Sequence, residues 1–278
     1  MKSALLALPL LLAASLPAAE PITLNLFDTP PAAPAPVSEK TAKLIASYGK
    51  PSPNHVMDVS VPTMTIYQPE KPNGTCVIVA PGGGYMFMSY QTEGSQVCEY
   101  LNTLGVTGVL LKYRVPTRDE KEPFAMPVED ARQAMKIVRQ RASEWKVDPK
   151  RVGLLGFSAG GNLLGHAAWS PGERPDFGIM IYGGGFLDAT DKTKFREGFA
   201  VPQDAPPMFF AVAHDDKANP IEATMLYLEY KKLNLPAELH IFTKGGHGFG
   251  MRKAGHPIDG WPQRCAEWMG SMGWLKGR

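Results

Sequence analysis

Three short segments carry residue types suited to acyl transfer: Gly156-Phe157-Ser158-Ala159-Gly160, His214-Asp215-Asp216, and Gly245-Gly246-His247-Gly248-Phe249-Gly250. A free serine hydroxyl is a poor nucleophile at neutral pH. Such chemistry therefore needs a base to take the proton, a carboxylate to orient the base, and N–H donors for the oxyanion that forms. The chain presents serine, acid and histidine in that order, each just beyond an apolar run that reads as a strand. G-x-S-x-G alone is short enough to arise by chance. Here a strand-like run over 151–155 precedes it and a helical run over 161–168 follows, the setting that lifts a serine clear of a sheet. Gly156, Gly160 and Gly161 are the small neighbours that let strand and helix approach around a strained serine.

His247 has glycine on both sides, an entropically costly arrangement unless the backbone must bend sharply to aim the ring. His55, His166, His214, His240 and His256 lack that placement and read as packing or solvent-facing residues, with His214 near enough in sequence to the acids to line the site. Asp215 and Asp216 are adjacent, so only one can face the histidine; the other is left for a turn or a helix cap before Pro220. Pro81-Gly82-Gly83-Gly84-Tyr85 follows the β-branched run 75–80, where an oxyanion loop belongs. The expected donors are Gly83 or Gly84 together with the N–H of Ala159. A phosphate-binding loop would need Lys-Ser or Lys-Thr after the glycines, and Tyr85-Met86 stands there instead. The second triplet, Gly183-Gly184-Gly185, is expected to turn near the pocket.

The elements that must hold these loops alternate. Strand-like alternation covers 56–68. Strands are expected at 75–80, 106–113, 152–157, 177–182, 208–213 and 237–243, and helices at 92–104, 128–145, 159–169, 221–233 and 262–272. Strands separated by helices of this length predict an α/β fold, a mostly parallel central sheet with helices on both faces and sites at the strands' carboxyl ends. The connection 183–207 is too short for a folded cap, so an uncapped site is expected. Residues 20–53 are dense in proline and alanine, cannot build a core of their own, and read as an arm lying over the surface or moving freely; the catalytic domain is placed at 54–278.

Composition narrows the partners. The 278 residues are 44% hydrophobic with a net charge of +2, and the 29 bases are scattered among 27 acids, so no nucleic-acid surface is indicated. Lys2, an apolar run at 4–12 and small residues at 13–19 read as a secretory signal peptide over 1–19, which implies export to the periplasm or medium. The first cysteine is Cys76, too late for a lipid anchor, and no later segment is apolar for long enough to span a membrane. Three cysteines leave at least one unpaired. Their wide spacing excludes a close-pair zinc site, and Cys98 with Cys265 is the one pair to test for a disulfide, Cys76 lying in a buried strand. Neither metal nor organic cofactor is suggested. Oligomeric state is left open.

Taken together, the glycine loop, the elbow Gly156 to Asn162, the run Pro206 to Asp216 and the histidine loop resemble the α/β-hydrolase superfamily. More narrowly, they are similar to secreted esterases of the acetyl-xylan-esterase and carbohydrate-esterase type, with relatives described as xylanase-like hydrolases. The resemblance covers about 56–274 and includes Leu111-Lys112-Tyr113-Arg114. It implies a serine esterase acting on acetylated carbohydrate or a small ester, no large cap domain, and the second aspartate, Asp216, as the acid. A serine peptidase or amidase and a small-ester carboxylesterase use the same machinery. A non-catalytic binding protein is the remaining reading, against which the intact residue set argues.

Overall fold

The computed structural model describes residues 20–217 and 219–277; the leader reading over 1–19 lies outside them. The first strand is β1 (Ile22–Asn25), followed by helix α1 (Glu39–Ser47), the short β2 (His55–Val56) and β3 (Thr63–Tyr67). Then come β4 (Cys76–Ala80), β5 (Met88–Ser89), a π-helical turn Gln91–Ser95, α2 (Gln96–Thr103) and β6 (Thr107–Lys112). The second half alternates except between β8 and β9, which no helix separates: α3 (Ala125–Gln140), β7 (Val152–Phe157), α4 (Ala159–Trp169), β8 (Phe177–Ile181), β9 (Met208–Ala213), α5 (Asn219–Lys232), β10 (Ala237–Phe242) and α6 (Trp261–Ser271).

Eight strands form one sheet in the order β1-β3-β6-β4-β7-β8-β9-β10, and β2 with β5 makes a separate two-stranded ribbon. From β6 through β10 every pairing is parallel, whereas β1 and β3 are antiparallel additions at one edge. The central strands β4, β7, β8 and β9 are buried along their whole length, as a parallel sheet covered on both faces requires. Their period of two divides the core. Cys76, Ile78 and Ala80 of β4 pack with residues of α3 and α4, while Val77 and Val79 pack with α2 and α6.

The segment 20–53 is not a loose arm. Its Ile22–Asn25 strand pairs with β3, Leu26 is buried in the core, and Ser38 caps α1 by accepting from the Thr41 N–H. Arg114, itself buried, donates to the Ala32 carbonyl at 3.0 Å and is gripped by Asp130 at 2.8 Å. The proline-rich composition bars a separate core, and the segment lies over the body's surface, largely exposed and pinned by Leu26 and Thr41, as the first of the two expected readings has it. Helix α3 differs from the expected 128–145. It starts at Ala125 because Pro127 stands in the first turn, where no N–H is needed, and it ends at Gln140. Cys98 and Cys265 do share a face of the sheet, but all three cysteines are free and buried, so the Cys98–Cys265 bridge is not formed.

Candidate active site

β7 enters the site fully buried and turns at Ser158, whose φ of 50° and ψ of −115° place it in a conformation that side chains rarely adopt. The turn is held because the Ser158 N–H donates to the Ile181 carbonyl at 3.1 Å and the Ser158 carbonyl accepts from Asn162 at 3.0 Å. Contact explains the glycines. A Cβ on Gly156 would lie 2.1 Å from the Gly160 carbonyl oxygen, and one on Gly160 would lie 2.0 Å from that of Ala80. Any larger residue would push α4 away from the sheet.

The other two segments reach Ser158 from the ends of β9 and β10. Ser158 Oγ–H donates to His247 Nε2 at 2.8 Å, and His247 Nδ1–H donates to Asp216 Oδ2 at 2.7 Å. The Asp216 side chain is 7% exposed and the His247 side chain 47% exposed, so the acid is sheltered while the ring opens to the cleft. Asp215 faces elsewhere: its Oδ1 accepts the N–H groups of Gly246 at 2.7 Å and Gly245 at 3.0 Å. Those two donors hold its carboxyl below the usual carboxylate range. One aspartate holds the imidazole, the other the loop that carries it. His214 is exposed and borders a depression with Asp216, Lys217 and Ile221 rather than the Ser158 cleft.

Gly83 and Gly84 have φ of 140° and 63°, and a Cβ on Gly83 would sit 1.9 Å from the Phe87 carbonyl oxygen. Gly84 and Ala159 border the cleft with Ser158 and His247, and Gly83 borders an adjoining hollow with the same two residues. Among the described residues, no protein acceptor takes the N–H of Gly83, Gly84 or Ala159. The Gly82 N–H, by contrast, is taken by Glu93 Oε2 at 2.7 Å. The second glycine triplet borders the cleft through Gly184 and Gly185. It is anchored by buried Glu222, which accepts from Gly185 at 3.0 Å and from Phe186.

Sequence reasoning missed Glu93. It lies in the π-helical turn before α2, is 3% exposed, and joins three loops: it takes the Gly82 N–H and the Tyr182 hydroxyl at 3.0 Å, and that hydroxyl accepts the Gly250 N–H at 3.0 Å. Burial pushes the Glu93 carboxyl up, against the pull of these donors and of nearby His247 and Arg252. The Tyr182 ring lies 5.0 Å from the His247 ring, centroid to centroid. A polar residue within a helix-like stretch gives no sequence signal of such a role.

Beside Ser158 the cleft has a volume of about 390 Å3, within the range of small-molecule sites. The connection from β8 to β9 lays no domain over it; it contributes Arg196 to the wall and carries only an isolated Leu187–Phe195 bridge. Among the described residues, no group of three or more His, Cys, Asp or Glu side chains is arranged to hold a metal ion, and no helix is long and apolar enough to cross a membrane.

A parallel sheet, a strained serine at a strand-to-helix turn and a histidine beyond the last strand define an α/β hydrolase, and a family model described as the alpha/beta hydrolase fold matches residues 77–246. The chain belongs to that family. It is 32% identical over 212 residues to an acetylxylan esterase of Xylanibacter ruminicola, covering 67% of this chain and 43% of that protein. It is 26% identical over 204 residues to endo-1,4-beta-xylanase B of Butyrivibrio fibrisolvens, covering 62% of this chain and 32% of that protein. The chain thus spans less than half the length of either relative. Among solved structures it is similar to an acetyl ester-xyloside bifunctional hydrolase from Caldicellulosiruptor lactoaceticus, with a TM-score of 0.68 and 27% identity, covering 92% of this chain and 97% of that one.

Proposed function

We propose that the protein is an exported serine esterase that removes small acyl groups, acetyl first among them, from carbohydrate such as acetylated xylan. The observation that carries the reading is the unbroken hydrogen-bond chain from Ser158 through His247 to Asp216, set on a strained turn beside unclaimed N–H donors. His247 Nε2 takes the Ser158 proton as Oγ attacks the ester carbonyl, and Asp216 stabilises the imidazolium that results. The N–H groups of Gly83 or Gly84 and of Ala159 hold the oxyanion. The proton on His247 then passes to the leaving sugar oxygen, leaving acetyl on Ser158. Water, deprotonated by the same ring, attacks that acyl group; the proton returns to Oγ and acetate departs.

The sugar and the acetyl group are suggested by the activities named for the similar proteins, and export by the leader-like pattern over 1–19. An open cleft without a cap fits a bulky alcohol. Acetate release from acetylated xylan, with fluorophosphonate labelling that disappears in Ser158→Ala, is the expected result. Labelling of Ser158 without acetate from any sugar would reassign the protein to small-ester or amide hydrolysis, and no labelling at all would sink the catalytic reading.

A further inference from the structure

The lining of the cleft carries charge of one sign. Arg118, Lys121 and Arg196 border the same cavity as Ser158 and His247, and no aspartate or glutamate borders it. Elsewhere Arg114, Arg139, Arg141, Arg174 and Arg264 each lie against a carboxylate. Among the described residues, Arg118, Lys121 and Arg196 have no carboxylate oxygen within 4.0 Å. The loop that supplies Arg118 and Lys121 also contains acids; Asp119 and Glu120 turn to the arm, while Glu122 borders the neighbouring hollow. Asp119 accepts from Ser38 N–H and Thr41 Oγ1, both at 2.7 Å, and Glu120 accepts from Ala35 N–H at 3.3 Å. Docking the arm thus sorts the charges of 118–121, acids outward and bases to the cleft.

Arg196 is the best positioned of the three. Its backbone N–H donates to the Phe186 carbonyl at 2.9 Å and its guanidinium lies over the Phe186 ring at 5.6 Å. Its Nη2 donates to His166 Nε2 at 2.9 Å, and that ring is itself stacked on Phe124 at 3.4 Å between centroids. Burial and the neighbouring guanidinium keep His166 neutral, down to about 3, so its ring nitrogen accepts. This is a guanidinium fixed in place by neutral groups, with its fork of donors largely unspent. Arg196 and Lys121 also border a neighbouring hollow of about 450 Å3 with Glu122 and Glu197, whereas the Ser158 cleft has the bases without an acid in its lining. Planar, bidentate donation of this kind selects carboxylates.

We propose that the cleft takes an ester that also bears a carboxylate, bound by Arg196 with Arg118 and Lys121 on the same wall. The preferred carbohydrate is then an acetylated uronate, or an acetylated chain branched with one. The inference rests on the esterase reading above. The same chemistry could come from the acyl side, as the half-ester of a dicarboxylic acid, and the test has an arm for each source.

The test compares kcat/KM for methyl acetyl-glucuronoside against methyl acetyl-glucoside, and for aryl hemisuccinate against aryl acetate, at low and high salt. In the wild type the acid-bearing member of one pair should exceed its neutral partner by about tenfold, the scale of one charge-assisted hydrogen bond. Salt should narrow the gap. Arg196→Gln should bring that ratio close to one and Arg196→Lys should keep part of it, whereas Lys194→Gln, on an exposed side chain away from the cleft, should leave it unchanged. A gain in the sugar pair assigns the carboxylate to the alcohol side, and a gain in the aryl pair to the acyl side. Ratios near one in both pairs, with aryl acetate still cleaved, overturn the inference and leave the esterase reading standing. If no ester is cleaved, that reading falls and calorimetry decides: methyl glucuronoside binding to Ser158→Ala that is lost on adding Arg196→Gln supports the anion subsite, and no binding overturns it.

Discussion

The two walls of the cleft solve opposite problems. Behind one wall, which Tyr182 and His247 face, Glu93, Tyr182, Asp215 and Asp216 use their polar atoms on neighbouring loops, fixing Gly82, Gly245, Gly246, His247 and Gly250. On the other, Arg118, Lys121 and Arg196 keep donors in reserve. Buried polar groups are costly unless partnered, so a saturated wall is rigid and suits chemistry that needs fixed distances. Unspent charge at a wetter surface is tolerated and can discriminate among ligands.

The largest blow to the saturated wall is Ser158→Ala or His247→Ala, each expected to lower kcat on the order of 10⁶-fold, read from aryl acetate hydrolysis. Next comes Asp216→Asn, with a loss on the order of 10⁴-fold, because the amide no longer selects the productive ring tautomer. Asp215→Asn should cost far less, since it loosens a loop and leaves the ring's partner in place. Similar losses for the two would break the division of labour between these neighbours. Tyr182→Phe removes the hydroxyl that links Glu93 to Gly250. A fall in stability of about 1–3 kcal/mol is expected from denaturant melts, with a turnover loss of about tenfold. An unchanged variant would show that the wall does not depend on this link.

At neutral pH the smallest effect belongs to the other wall, at the ring beside Arg196. Burial lowers the His166 ring from 6.5 to about 3. Between those values the unfolded chain binds a proton that the folded chain refuses, so this residue removes stability as pH falls from about 6.5 towards 3. The slope it contributes is at most about 1.4 kcal/mol per pH unit. His166→Asn should flatten the acid limb of a stability-against-pH curve by that amount, and an unaltered limb would mean that the ring does not resist protonation.

What the sequence reveals follows the physics of each element. β4, β7 and β9 are short apolar runs buried on both faces, so they are legible from composition alone, and the serine turn is legible because its glycines are forced by contacts as close as 2.0 Å. The acid was a choice between neighbours that only the resemblance narrowed, and the geometry shows why: Asp215 and Asp216 both work for the histidine loop, one through the ring and one through the backbone. Glu93 was illegible because its role lies in three partners brought from positions 82, 182 and 250 by the sheet. β1 and α1 are hidden by the prolines that flank them, Pro21 before the strand and Pro30, Pro31, Pro34 and Pro36 before the helix. Their stability comes from β3 and Asp119, which no local window contains.

The three thiols have a consequence for how the molecule matures. Cys76, Cys98 and Cys265 are all enclosed in the core, and burial pushes each thiol up, away from the reactive thiolate form. Its native state is therefore insensitive to ambient redox potential: it neither waits on an oxidase to be completed nor unravels when a reductant is added.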